Sequence, residues 1–532
     1  MKRREFFKIG SLGSTLMASR LLSGSEAGLS EIQSVNSVSL IEKDINFLVN
    51  KIKTGKLTSR QLCKFYLDRI RKMDKTGPAL NSVLEINPDV LKIADELDRK
   101  FKDQGLTGPL HGIPVLIKGN IDTHDKMTTT AGSLALEGSI PPEDAFIVKK
   151  LREAGAVILG KANLSEWANF RSTRSSSGWS SQGGQTKNPY ILDRNPCGSS
   201  SGSGVAVSAN LCAIAIGTET DGSIVCPSNA NGIVGIKPTI GLVSRNGIIP
   251  ISHSQDTAGP MARTVSDAVI LLTVMAGFDQ EDQASGKIRN VKPINYTKFL
   301  DNNGLNKKRI GVARNYFGFH EKVDDLMEDA IKVIKKMGGV IVDPANIETK
   351  GKFNKEEYDV LLYEFKAGLN EYLRNSPPET GVKTLTDLIG FNKKYKNKMM
   401  PYFEQEIFIM AEKKGPLTDK KYLQALKKCK ELAGKNGIDA TMYKYKLDAI
   451  IAPTGGPAWK TDHVNGDHFG GGSSSAAAVA GYPNITVPAG FVHELPVGIS
   501  FFGKAFTEPA LISIAYAYEQ ATKHRRPPQF RA

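Results

Sequence analysis

The chain has 532 residues and a mass of 57.8 kDa; 40% of the residues are hydrophobic and 23% charged, with 26 Pro and 51 Gly. That composition excludes collagen-like, mostly disordered and disulfide-scaffold classes, each of which is far more skewed. No apolar run reaches the ~18 residues that a membrane-crossing helix needs. The formal net charge of +15 raises nucleic acid or anionic membrane as a partner. The lysines, however, are spread along the chain, and the cluster Lys393, Lys394, Lys396 and Lys398 has neither a nucleic-acid-binding signature nor interleaved aromatics. The charge therefore reads as a lysine-rich solvated surface, with no nucleic acid and no stable membrane insertion expected. Five cysteines (Cys63, Cys197, Cys212, Cys226, Cys429) are too few and too scattered for a disulfide framework. None forms the CxxC pair of a zinc site.

In chain order, Met1-Lys2-Arg3-Arg4-Glu5-Phe6-Phe7-Lys8 resembles a twin-arginine export signal. An apolar stretch interrupted by Arg20 follows, and Ser25-Glu26-Ala27 supplies a small-x-small cleavage pattern. Residues 1–27 are read as a signal peptide, which implies a periplasmic or extracellular protein, or a cytoplasmic one if the signal is not functional. Residues 39–107 read as helical. Leu40, Ile45, Leu48, Val49 and Ile52 recur at helical spacing, Thr58 and Gln61 form a capping box, and Asn87-Pro88 opens a helix ending near Gly105. From residue 108 to 532, apolar runs at 113–117, 156–159, 213–216, 449–452, 485–487 and 498–502 alternate with helical stretches. This predicts an α/β core: a large mixed, mostly parallel sheet flanked by helices. Between about residues 350 and 435 the strand signals give way to a charged helical insertion.

Gly155 to Ala162 has P-loop spacing, but Ala162 stands where a magnesium-binding hydroxyl belongs and the intervening residues are strand formers. His463 and His468, beside Asp462 and Asp467, lack a third ligand and read as a loop at the edge of a cleft. The informative region runs from Ser172 to Gly247, with Cys197-Gly198-Ser199-Ser200-Ser201-Gly202-Ser203-Gly204 and Gly217-Thr218-Glu219-Thr220-Asp221-Gly222-Ser223-Ile224. Glycine at that density within ordered sequence marks backbone that bends tightly and offers N–H groups to an anion. A serine nucleophile needs a base. Lys118, directly after a buried apolar run, supplies one, because desolvation favours its neutral amine.

These segments resemble the amidase signature family. Further matching stretches are Glu153-Ala154-Gly155-Ala156, Gly235-Ile236-Lys237-Pro238-Thr239 and Asp256-Thr257-Ala258-Gly259-Pro260-Met261-Ala262-Arg263-Thr264. The resemblance implies the amidase signature fold and hydrolysis of carboxylic amides by a Ser-Ser-Lys triad without cofactor or metal. Lys118 falls on the base, Ser199 on the intermediate serine, preceded by a cis peptide bond, and Ser223 on the nucleophile. The backbone N–H groups of Thr220, Asp221, Gly222 and Ser223 fall on the oxyanion loop. Cys197 and Ser201 stand where the family pattern has glycine, as does Asp221, the last a feature of the peptide-amidase branch. The implied partner is a small-molecule or peptide amide, and the implied assembly a monomer or homodimer. A non-catalytic binding protein on the same fold is disfavoured because all three triad residues are present, and two other readings remain at this point. One is an α/β-hydrolase-type esterase with Ser200 in a GxSxG elbow and His253, His463 or His493 as its histidine. The other is an A-type component of a tRNA-dependent amidotransferase.

Overall fold

The computed structural model describes residues 40–377 and 380–532; the expected signal at 1–27 lies outside them. The strands are β1 (Val83–Ile86), β2 (Pro114–Lys118), β3 (Val157–Ala162), β4 (Trp179–Ser180), β5 (Gly184–Gln185), β6 (Ile214–Glu219), β7 (Val234–Lys237), β8 (Thr257–Ala262), β9 (Arg309–Val312), β10 (Val340–Val342), β11 (Ala449–Pro453), β12 (Asn484–Val492) and β13 (Leu495–Phe502). All but β4 and β5 join one sheet of 11 strands in the order β1-β3-β2-β6-β8-β7-β12-β13-β11-β9-β10. The strands β2, β3, β6 and β11 are buried throughout. Helices cover both faces, so these strands read in sequence as continuous apolar runs.

The sheet is mixed, as expected, but not mostly parallel. Parallel pairing is confined to β3-β2-β6 on one side and β11-β9-β10 on the other. The six pairings that remain, including the whole centre from β6 to β11, are antiparallel. Part of the reason is local. β12 and β13 are joined as a hairpin by His493 and Glu494, and so short a connection permits only antiparallel neighbours.

The capping box at Thr58 forms as expected and starts the helix Ser59–Arg69. The helix Val90–Gln104 begins later than Asn87-Pro88 suggested. Asn87 is occupied elsewhere: its Nδ2 donates to Ile158 O (3.0 Å), while its Oδ1 accepts from Asp89 N (2.9 Å), so Asp89 takes the cap position.

From Asn354 to Tyr445 the chain is largely helical, and Phe365, Leu369, Leu385 and Phe408 of this segment pack on Trp167, Phe170 and Ile251 of the core. Arg171 pins the two together. It is fully buried, ion-paired with Glu166, hydrogen-bonded to Met399 O (2.6 Å) and seated 4.2 Å from the Phe403 ring centroid. Among the described residues, no helix is long and apolar enough to cross a membrane.

Candidate active site

The parallel strands β2 and β6 end side by side: Lys118 closes β2 and the 220–223 turn follows β6, while Ser199 comes from the loop before the helix Ser201–Ser208. The carboxyl ends of strands are where α/β sheets place ligands. Lys118 is the last residue of β2 and is fully buried. Its Nζ lies 2.7 Å from Ser199 Oγ, 2.9 Å from Thr218 Oγ1 and 3.2 Å from Thr218 O. Burial brings the Lys118 amine down to about 7, although the carboxylates of Asp256 and Glu219 pull the other way. The amine donates to all three oxygens; once neutral it has two N–H groups, enough for Thr218, and one lone pair left over for a hydroxyl proton.

Ser199 follows a cis Gly198–Ser199 peptide. Its carbonyl accepts from Ser165 N (3.1 Å), and the helix Ser201–Ser208 begins two residues on. Ser223 sits in the turn between β6 and the helix Val225–Ala230. Its carbonyl accepts from Ser200 N (3.2 Å), which holds the two serine loops edge to edge. Gly222 has φ +78°, a left-handed conformation that glycine adopts without penalty.

Four anchors hold the 220–223 turn. Glu219 Oε2 accepts from Ile224 N (2.8 Å) and Val225 N (3.1 Å). Thr220 Oγ1 donates to Asp256 Oδ1 (2.5 Å), and that carboxylate is itself held by Ile251 N and Ser252 N. Ser474 Oγ donates to Asp221 Oδ1 (2.5 Å), and Gln255 Nε2 reaches Thr220 O (3.4 Å). Among the described residues, the N–H groups of Thr220, Asp221, Gly222 and Ser223 donate to no other group. All four residues, with Gly198, line a cavity of about 330 Å³. Phe170, Leu361, Trp459 and Phe469 give that cavity apolar walls, and Asp221 and Asp467 are its charged groups; among the described residues no cationic side chain lines it. A larger cavity, about 780 Å³, is lined by residues such as Phe146, Leu242 and Phe278 and holds none of these groups.

Ser200 is placed otherwise. It is fully buried, its Oγ donates to Thr218 O (3.1 Å) and accepts from Thr218 N (3.2 Å), and it does not line the cavity. Thr218 occupies the hydroxyl where an esterase would place a histidine. His253 lies beside Glu364 (3.4 Å), and His463 stacks on Tyr402 with centroids 4.0 Å apart. The geometry of a nucleophile elbow is therefore not met at Ser200. Asp467 and Phe469, from the loop that carries His463 and His468, line the cavity edge. Among the described residues no group of three or more His, Cys, Asp or Glu is arranged to hold a metal ion.

The five cysteines build no disulfide framework, but one pair that the sequence does not single out is joined. Cys197 and Cys226 form a disulfide with Cα atoms 6.0 Å apart, while Cys63, Cys212 and Cys429 are free and buried. The partners are 29 residues apart along the chain, and only the return of the chain through β6 brings them together. Sequence reading also missed Thr218, Glu219 and Asp256 as the groups that hold Lys118 and the turn. A signal was present for Glu219 alone, an acidic residue just before a glycine turn and a short helix.

The chain matches the family model described as Amidase over residues 61–512. The chain belongs to the amidase family. It is 42% identical to a probable amidase of Arabidopsis thaliana, over 99% of both chains. It is 36% identical to a glutamyl-tRNA(Gln) amidotransferase subunit of Thermoanaerobacter pseudethanolicus, over 91% of this chain and 97% of the other. Among solved structures it resembles the native peptide amidase of Stenotrophomonas maltophilia, with 50% identity and a TM-score of 0.88, covering 92% of this chain and 99% of that one. This amidase-family protein is thus an enzyme that hydrolyses amides, built on the fold shared with those relatives.

Proposed function

We propose that this amidase removes the terminal amide of small peptides and related neutral amides, with Lys118, Ser199 and Ser223 as its reacting groups. The observation that carries the reading is the buried Lys118 amine, 2.7 Å from Ser199 Oγ, beside the turn that presents Ser223 and four unengaged N–H groups to one cavity. Neutral Lys118 takes the proton of Ser199, and Ser199 takes that of Ser223. The Ser223 oxygen then adds to the amide carbon, and the resulting oxyanion is received by the N–H groups of residues 220–223. The C–N bond breaks as Ser199 returns a proton to the departing nitrogen, which leaves as ammonia or amine. Water, deprotonated through the same relay, cleaves the acyl ester, releases the acid and restores Ser223.

The cavity's character supports a neutral substrate. Its walls mix aromatic and aliphatic side chains with neutral polar ones such as Ser177, Thr454 and Ser475. Burial pushes its two carboxylic acids, Asp221 and Asp467, up from their ordinary values, and among the described residues no cationic side chain lines it to pair with an anion. The 50% identity to a peptide amidase supports the peptide class. Export is supported by the twin-arginine pattern in residues 1–27 and by the Cys197–Cys226 disulfide, a bond that persists in oxidising compartments.

Labelling with a fluorophosphonate and mapping the modified peptide tests the nucleophile: the label is expected on Ser223, and a label on Ser200 refutes the assignment. A hydrolysis screen over peptide amides, long-chain acyl amides and aryl amides tests the substrate class, and turnover of peptide amides slower than of either other class refutes it.

A further inference from the structure

The two serine loops are joined by a covalent bond as well as by packing. Cys197 stands two residues before Ser199 and Cys226 three residues after Ser223, so one disulfide brackets both hydroxyls. Besides the bridge, the loops share the hydrogen bond from Ser200 N to Ser223 O (3.2 Å). Cys197 adopts φ +57°, the left-handed region in which glycine alone is free of strain. The family pattern has glycine at this position, so the cysteine is held in an unfavourable conformation where its sulfur reaches the second loop. Each loop is otherwise braced on its own side: Ser201 Oγ donates to Cys197 O (2.6 Å), and Cys226 N donates to Gly222 O (2.8 Å). Both cysteines, like Ser223, are among the residues that line the cavity, so the bridge is built into its wall.

We propose that the Cys197–Cys226 disulfide is a positioning element for Ser199 and Ser223, and that turnover of this amidase depends on its oxidation state. The inference rests on the reading of these serines as the reacting pair. Reduction by dithiothreitol transfers two electrons and two protons to the bridge; the S–S bond becomes two thiols and the reagent closes to its cyclic disulfide. The loops then keep only their non-covalent contacts, and the separation of the two hydroxyls is no longer fixed. The free cysteines Cys63, Cys212 and Cys429 are buried away from this cavity and take no part.

The test uses the folded, full-length protein with a peptide amide substrate. Native treatment with dithiothreitol, followed by alkylation under denaturing conditions, gives the fraction of chains with five thiols rather than three. The kcat is expected to fall in proportion to that fraction, toward a loss of about 10²-fold, the cost of misplacing reacting groups by about 1 Å. The KM should change little, circular dichroism should stay native, and oxidised glutathione should restore kcat. The double variant Cys197→Ala/Cys226→Ala should show the same low kcat and no response to dithiothreitol; if it does not fold, the reduced wild-type protein carries the test. Full kcat in chains with five alkylated cysteines overturns the proposal. So does a loss of kcat that appears only together with loss of the native spectrum, which makes the bridge a brace for the fold. Failure of the serine assignment is separate, and shows as activity retained in Ser223→Ala while the bridge is intact.

Discussion

Glu219, the last residue of β6, reaches over the turn that follows it and accepts a hydrogen bond from the backbone N–H of Ile224 (2.8 Å). The same oxygen accepts from Val225 N (3.1 Å). The strand end and the helix start are thereby clamped, and Ser223 is presented from the chain between them.

Glu219→Ala leaves two buried N–H groups without an acceptor, and hydrogen bonds to a charged group are each worth about 1.5–3 kcal/mol. The expected outcome is a lower Tm together with a lower kcat, because the turn that carries the proposed oxyanion donors loses its clamp. Glu219→Gln keeps an acceptor oxygen and should recover most of both. Thermal unfolding and steady-state kinetics on the two variants check this; equal kcat in Ala, Gln and wild type refutes the clamp.

In the proposed relay, Lys118 sets the pH dependence. Its amine must be neutral to take a proton, and burial brings it to about 7, so kcat/KM should fall roughly tenfold per pH unit below that point. Lys118→Met and Lys118→Arg should each lose about 10²–10⁴-fold in kcat, since neither offers a neutral base. The same shift has a stability consequence. Unfolded, this lysine keeps its proton up to its ordinary 10.5, while folded it releases it near about 7. Between those values the unfolded state binds the extra proton, so this group's contribution to stability rises with pH. The Tm of the wild type should therefore gain on that of Lys118→Met across that window; a constant difference counts against the shift.

The adjacent serines Ser199 and Ser200 should separate cleanly. Ser223→Ala and Ser199→Ala are expected to abolish amide hydrolysis with the fold intact. Ser200→Ala removes a hydroxyl bonded only to Thr218, costing about 1 kcal/mol of stability with turnover largely kept. An inactive, folded Ser200→Ala would be the contrary result.

Arg171 joins the helical segment to the core through Glu166, Met399 and Phe403. Arg171→Ala strands a buried carboxylate, a change that costs about 3–5 kcal/mol. Denaturant unfolding should show that loss. A change below about 1 kcal/mol would mean that the pair is not buried in solution, since that is the range of exposed ion pairs.

The local features were legible in the sequence because short-range chemistry determines them. Thr58 and Gln61 cap a helix through a contact three residues long, and β2, β3 and β6 appeared as apolar runs because both their faces are covered. Lys118, Ser199 and Ser223 stood out by their company: a buried strand end and two glycine-rich turns. The sheet's balance of parallel and antiparallel neighbours did not show, since an apolar run carries no record of its neighbour's direction. The helix does not open at Asn87-Pro88 because Asn87 bonds to Ile158, 71 residues away, a contact that no local window contains.

What the sequence determined by itself is which residue types stand at strand ends and turns, and hence the class of chemistry this chain supports. Tertiary structure alone decided that Lys118 meets Ser199 across 81 residues, that Thr218 completes the lysine's contacts across 100, and that Cys197 bonds to Cys226 across 29. The reason is physical: spacing and composition fix local backbone geometry, whereas contact between distant segments depends on how the whole sheet is threaded. The desolvation that lowers the Lys118 amine to about 7 exists only once that threading has closed over it.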